Sequence, residues 1–155
     1  MKTETYLRLA VEEARKGVEA GHGGPFGAVI VYRDEIVATA HNEVLLHNDP
    51  TAHAEIQAIR RASRKLERFH LEGCTLYCTG EPCPMCFSAI HWAHLDRVVY
   101  CNTKAEAAAI GFDDAFITEI IRGKQPDPIP FIHHDRKSCK SVLKLWEKKE
   151  DKIPY

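Results

Sequence analysis

Glu81-Pro82-Cys83-Pro84-Met85-Cys86 is the stretch on which both fold and chemistry turn. Two cysteines three apart in the first turn of a helix bring both sulfurs to one side, with Cβ atoms about 5–6 Å apart. The positive end of the helix dipole favours thiolates there. Pro82 and Pro84 suit a helix start, where a missing N–H costs nothing. Alone, the pair would fit a metal site, a thioredoxin-like dithiol or two buried thiols. A second stretch, Thr51-Ala52-His53-Ala54-Glu55, lies about thirty residues upstream, also at a predicted helix start. Together the two stretches offer His53, Cys83 and Cys86 as ligands, the spacing of a zinc site, with Glu55 as a nearby carboxylate. Residues two apart on a regular helix point about 200° apart, so His53 and Glu55 can share a site only at the helix end.

A structural zinc site wants four protein ligands. Cys78 lies on a predicted strand heading towards the site. Like Cys74 and Cys101, however, it sits in an apolar or β-branched run, where a free cysteine commonly acts as a small buried hydrophobe. His91 and His94 follow two and three turns down the Cys86 helix, about 8–12 Å away along its axis. The fourth position is therefore expected to hold water, the mark of a catalytic zinc, which brings the water's pKa to about 7. Glu55, kept off the metal, would carry protons to a ring nitrogen and to a leaving amine. The reaction class is hydrolytic deamination of an amidine-like carbon.

The chain has 155 residues, 21 Lys plus Arg and 22 Asp plus Glu, for a net charge of −1. The length suits one domain, 1–155, and the charge advertises neither a nucleic-acid nor a membrane surface. No apolar run is long enough to span a bilayer. The N-terminus is unlike a secretory signal, and six cysteines then read as thiols of a reducing, cytoplasmic compartment. Residues 4–20 carry helical periodicity. Strands are expected at 26–32, 36–40, 74–79 and 97–101, with a short fifth at Phe131-Ile132-His133. Asn48-Asp49-Pro50-Thr51 reads as the start of a helix running to Leu66; other helices are expected at 83–95, 104–110, 115–122 and 138–150. Helix, hairpin, then alternating strands and helices give an α/β fold: a three-layer α/β/α sandwich around a mixed five-stranded sheet.

Pro25-Phe26-Gly27-Ala28, Asn42, Thr51-Ala52-His53-Ala54-Glu55 and Glu81-Pro82-Cys83-Pro84-Met85-Cys86 together resemble the cytidine deaminase-like superfamily. Asn48-Asp49-Pro50-Thr51, Gly111-Phe112-Asp113-Asp114 and the terminal Tyr155 narrow the likeness to its small bacterial-type guanine deaminases. The resemblance implies one zinc per chain, held by His53, Cys83 and Cys86, with Glu55 as proton shuttle. It implies a purine pocket contacted by Phe26, Asn42, Ala54, Trp92 and Asp114, with Asp114 reading the substrate edge or assisting proton transfer. It also implies a homodimer with exchanged C-terminal segments, in which Tyr155 closes the pocket from the partner chain. Ser88 and Pro154 depart from the usual pattern.

Two other functions share these residues. A tRNA adenosine deaminase would need a basic surface for RNA, and the net charge opposes it. Triazines, pterins and other aminated heterocycles would use the same chemistry. An interaction module with a closed structural zinc, completed by Cys78, would leave Glu55 without a role. Local readings also stand beside the implied roles: Asn42 as a turn residue, Phe26 and Trp92 as core, and Asp113-Asp114 as a helix cap.

Overall fold

Strand β1 (Gly27–Tyr32) is the centre of the sheet, and five of its six residues are buried. The computed structural model describes residues 2–155. Arg33 and Asp34 turn the chain with φ of 48° and 65°. A two-residue turn of this handedness matches the twist of paired strands, and it returns β2 (Glu35–His41) antiparallel to β1. On the other side β3 (Cys74–Gly80) also runs antiparallel to β1. The chain then crosses over through α4 (Pro84–Trp92), and β4 (Arg97–Asn102) lies parallel to β3. The sheet is mixed and four-stranded, in the order β2-β1-β3-β4.

Helix α1 (Lys2–Glu19) buries Tyr6, Ala10, Ala14 and Gly17 on one stripe. Tyr6 and Ala10 pack with Val29, Val31 and Tyr77 on one face of the sheet. On the other face, α3 (Ala54–Leu66) lays Ala54, Ala58 and Ala62, spaced by four, against Ala28, Ile30 and Leu76, with Ile90 of α4 in the same cluster. Small side chains at that spacing let the helix backbone ride close to the strands. A short α2 (Val44–His47) precedes α3.

Two expectations are corrected here. The fifth strand is absent: Phe131, Ile132 and His133 have no regular structure, and Phe131 and Ile132 are 85% and 86% exposed. Pro126, Pro128 and Pro130 lead into that run and cannot donate to a ladder, so three residues are left without the hydrogen bonds to hold a sheet edge. The helix expected from Asn48-Asp49-Pro50-Thr51 to Leu66 is α3, and it starts at Ala54 rather than near Pro50. Asp49 Oδ1 accepts the Thr51 N–H at 2.8 Å, closing a local turn that delays the helix. Beyond β4, α5 (Lys104–Ala109), α6 (Ala115–Ile121) and α7 (Lys137–Lys148) contain no buried residue.

Gly27 marks where α1 presses on the sheet. A Cβ there would stand 1.9 Å from the Ala10 carbonyl oxygen and 2.7 Å from the Ala14 nitrogen, both backbone atoms that cannot step aside. Gly27→Ala is expected to destabilise the fold by at least about 2 kcal/mol, because overpacking against backbone leaves no rotamer escape. Urea unfolding measures this, and an unchanged midpoint would refute the close approach.

Candidate metal centre and cavity

The centre forms where two helices begin. His53 is the N-cap of α3, with φ −66° and ψ 155°, and Cys83 is the N-cap of α4, with φ −67° and ψ 169°. Both caps are extended, so the angular rule for helical residues does not bind them. His53 therefore reaches the same point as Glu55, one residue into the first turn after Ala54. Cys83 Sγ accepts the Cys86 N–H at 3.5 Å, which curls the Cys-x-x-Cys turn so that both sulfurs face His53.

His53 Nδ1 lies 3.5 Å from Cys83 Sγ and 3.5 Å from Cys86 Sγ. Zinc bonds of about 2.3 Å to sulfur and about 2.0–2.1 Å to nitrogen, at tetrahedral angles, require N···S separations of about 3.6 Å. The three donor atoms, all within 4.8 Å of one another, thus fit three corners of a zinc tetrahedron. Among the described residues no fourth His, Cys, Asp or Glu joins this group. Cys78, the alternative fourth ligand, is buried in β3 with its thiol donating to the Val99 carbonyl at 3.8 Å. Cys101 donates instead to the Thr79 carbonyl at 3.3 Å. The set is three-sided and opens into a cavity of about 480 Å³.

His53, Glu55 and Cys83 face that cavity, with Cys86 buried behind them. Glu55 is 5% exposed, and burial holds its carboxyl above the usual carboxylate range. Phe26 forms one wall, with Phe112 edge-on to it at 5.0 Å and 90°. Asn42 lines the cavity with its Oδ1 accepting the Val44 N–H at 3.0 Å, so its NH₂ group remains to donate to a bound ring. Asp114 also lines it, and burial raises its carboxyl too. Asp114 holds the N-cap position of α6 but makes no side-chain cap bond; the Oδ1 of Asp113, one residue before it, accepts the Ala115 N–H at 3.0 Å instead.

Two implied contacts fall elsewhere within the chain, and a third is narrowed. The Ala54 side chain is fully buried in the core beneath α3, which leaves only its backbone, between His53 and Glu55, for a purine. Trp92 sits at the far end of α4, nine residues from Cys83, or about 13 Å along a helix axis, and is 65% exposed. Tyr155 packs beside it and Phe69, each at 6.2 Å, away from its own chain's cavity.

Sequence reasoning missed Glu43. It is 5% exposed and takes hydrogen bonds from Gln57 Nε2 at 3.0 Å, from His47 Nε2 at 2.6 Å and from Arg61. Burial alone would raise its carboxyl, but those donors outweigh it and lower it. The network ties the segment carrying Asn42 to α3. Nothing around Glu43 in the sequence marks it, since its partners lie 4, 14 and 18 residues away. Phe112 was also missed as a wall residue, although the glycine before it signals a helix end.

The metal-free donors share their protons unevenly. Hydrogen bonding from Cys86 and His53 pushes the Cys83 thiol down to about 4, against the effect of burial. The bond to Cys83 and burial push the Cys86 thiol up. The hydrogen bond with Cys83 raises His53, against its own burial. Zinc capture must therefore expel the proton of Cys86 and compete with protonation of His53, which its raised pKa favours, whereas the Cys83 thiol, at about 4, offers little competition. Affinity should rise with pH and fall by up to about tenfold per unit, per proton released, as pH drops below neutral. Calorimetric titration in buffers of different ionisation enthalpy counts the protons, and a pH-independent affinity would contradict this arrangement.

The sequence family model for the cytidine and deoxycytidylate deaminase zinc-binding region matches residues 1–102. A guanine deaminase of Bacillus subtilis (strain 168) is 45% identical over 156 residues, covering 100% of both chains. The X-ray structure of guanine deaminase from Bacillus subtilis superposes with a TM-score of 0.93 at 44% identity, covering 98% of each chain. A tRNA-specific adenosine deaminase of Aquifex aeolicus (strain VF5) is 45% identical over 100 residues, but this spans 64% of the present chain and 66% of the relative. With its His-Cys-Cys centre at two helix starts, the chain belongs to the cytidine and deoxycytidylate deaminase zinc-binding family, and within it groups along its full length with the guanine deaminases.

Proposed function

We propose that the protein converts guanine and water to xanthine and ammonia, using one zinc per chain held by His53, Cys83 and Cys86. The observation that carries this reading is the three-sided donor set facing a cavity that also contains a buried, unligated carboxylate, Glu55. The full-length likeness to a guanine deaminase selects the substrate among aminated heterocycles. Zinc, when bound, supplies a Lewis acid that brings the pKa of a coordinated water to about 7.

The chain's own groups do the rest. Phe26 and Phe112, edge-on to each other, form one apolar wall against which a purine ring can pack, and the Asn42 NH₂ group donates to a purine acceptor. Burial makes the Glu55 carboxylate a stronger base than an exposed one. It accepts a proton from the attacking water and passes it to a ring nitrogen, then takes the second proton from the hydroxyl added to the carbon and hands it to the departing amine as the C–N bond breaks. Asp114, on the cavity lining, accepts from the ring N–H and amine edge of guanine.

A tRNA substrate fits less well. Glu81, Asp113 and Asp114 on the cavity wall oppose a phosphate backbone, with Lys104 as the cation among them. The same reading places the protein in the cytoplasm, consistent with six unpaired thiols. It also includes a homodimer exchanging C-terminal segments, through which Tyr155 would reach the partner's cavity. Support comes from the apolar side chains left uncovered beyond β4, among them Ile129 at 63%, Phe131 at 85%, Ile132 at 86% and Leu145 at 70% exposure.

Glu55→Gln should keep full zinc and lose guanine turnover by about 10²- to 10⁴-fold, the scale of general acid–base catalysis. Ammonia release with metal analysis measures both, and full activity in the variant would refute the mechanism. Light scattering should give twice the chain mass, and Tyr155→Ala should lower turnover. A monomer with normal turnover would rule out the exchanged arrangement.

A further inference from the structure

The loop between α5 and α6 carries Asp114 into the cavity, yet neither helix contains a buried residue to seat it. Its geometry is set from the α5 end. Gly111 adopts φ +100°, the Phe112 N–H donates to the Ala107 carbonyl at 3.0 Å, and the Gly111 N–H donates to the Ala108 carbonyl at 3.0 Å. This is the paired Schellman closure, in which the residue after the left-handed position usually makes an apolar contact. Here that residue is Phe112, and its contact is the edge of the Phe26 ring.

The ring needs the space above Gly24. A Cβ at Gly24 would stand 2.8 Å from Phe112 Cζ, 3.1 Å from Phe112 Cε1 and 3.2 Å from Phe26 Cε2. The Gly24 φ lies outside the left-handed region, so alanine there meets a steric obstacle and no backbone one. Asp113 Oδ1 takes the Ala115 N–H at the start of α6, whereas Asp114, at the N-cap position, spends no side-chain oxygen on a cap. In Gly111-Phe112-Asp113-Asp114, then, the glycine makes the turn, the ring anchors it, the first aspartate accepts the leading N–H of α6 and the second keeps its carboxyl at the cavity.

We infer that Phe112 is a positioning residue that anchors the Asp114 loop by inserting its ring into the notch formed by Gly24 and Phe26, so that residues 24 and 112 act as one steric unit. The inference rests on the deaminase reading for the role of Asp114, but the anchor itself is independent of the substrate.

The test is a double-mutant cycle on the zinc-loaded protein, with amide hydrogen exchange as a second readout. Gly24→Ala alone should lower kcat/KM for guanine by about tenfold or more. In the Phe112→Leu background, where Cζ is gone, the same change should cost less than about twofold, the non-additivity of residues in contact. Phe112→Ala should speed amide exchange at residues 113–117 by about tenfold at unchanged zinc content, and Phe112→Leu should recover part of that protection. Additive losses in the cycle, or unchanged exchange in Phe112→Ala, would overturn the anchor. Wild-type protein silent on guanine would overturn the substrate reading alone, and the exchange experiment would still decide the anchor.

Discussion

The molecule depends on two helix N-termini being held face to face. Each brings unpaired N–H groups and a positive dipole end to the same place. That pairing draws the soft anionic ligands of one helix towards the imidazole of the other. It is enforced by β1 and β3 lying side by side, with α3 and α4 on one face of the sheet. Because His53 and Cys83 are both caps, each side chain leaves from the end of its helix rather than from its flank. A shift of one turn in either helix start would separate the donors by about 5 Å and dissolve the site.

Close packing serves that placement. The stripe of Ala54, Ala58 and Ala62 and the bare Gly27 bring helices nearer to the sheet than larger side chains would allow. The Glu43 network then fastens the segment between β2 and α3, so that Asn42 and His53 are fixed relative to each other. Buried polar groups of this kind stabilise only when fully partnered. Glu43 meets that condition, and its acidity follows from the donors around it.

Glu55 and Asp114 are two carboxyls raised by the same cause, burial, in one cavity. They arrive by different routes. Glu55 is locked into the first turn of a core helix, whereas Asp114 hangs from a loop between two helices that bury nothing. Rigid support for the proton carrier and local support for the recognition group are separate structural problems. The chain meets the second with an aromatic contact and two short hydrogen-bonded turns.

Much of this was legible in the residues. Spacing alone placed Cys83 and Cys86 on one turn, because the helical repeat is a local property, and apolar runs located all four strands and the longer helices between them, though not the four-residue α2. The His53–Glu55 pairing demanded a site at a helix end, and that end is where it lies. Other features depended on contacts that no local pattern encodes. Phe131-Ile132-His133 has the composition of a strand, but a strand needs a neighbour, and the prolines before it remove donors. Cys78 has the right chemistry for a fourth ligand, but strand register turns its thiol to Val99. Trp92 and Cys83 share a helix but occupy opposite ends of it. Glu43 and Phe112 acquire roles only through residues far away in the chain. The sequence by itself determined the reactive groups and the local geometry that bears them, since those follow from helical and strand periods. The tertiary structure decided which groups meet, since that depends on how layers pack and where each helix begins.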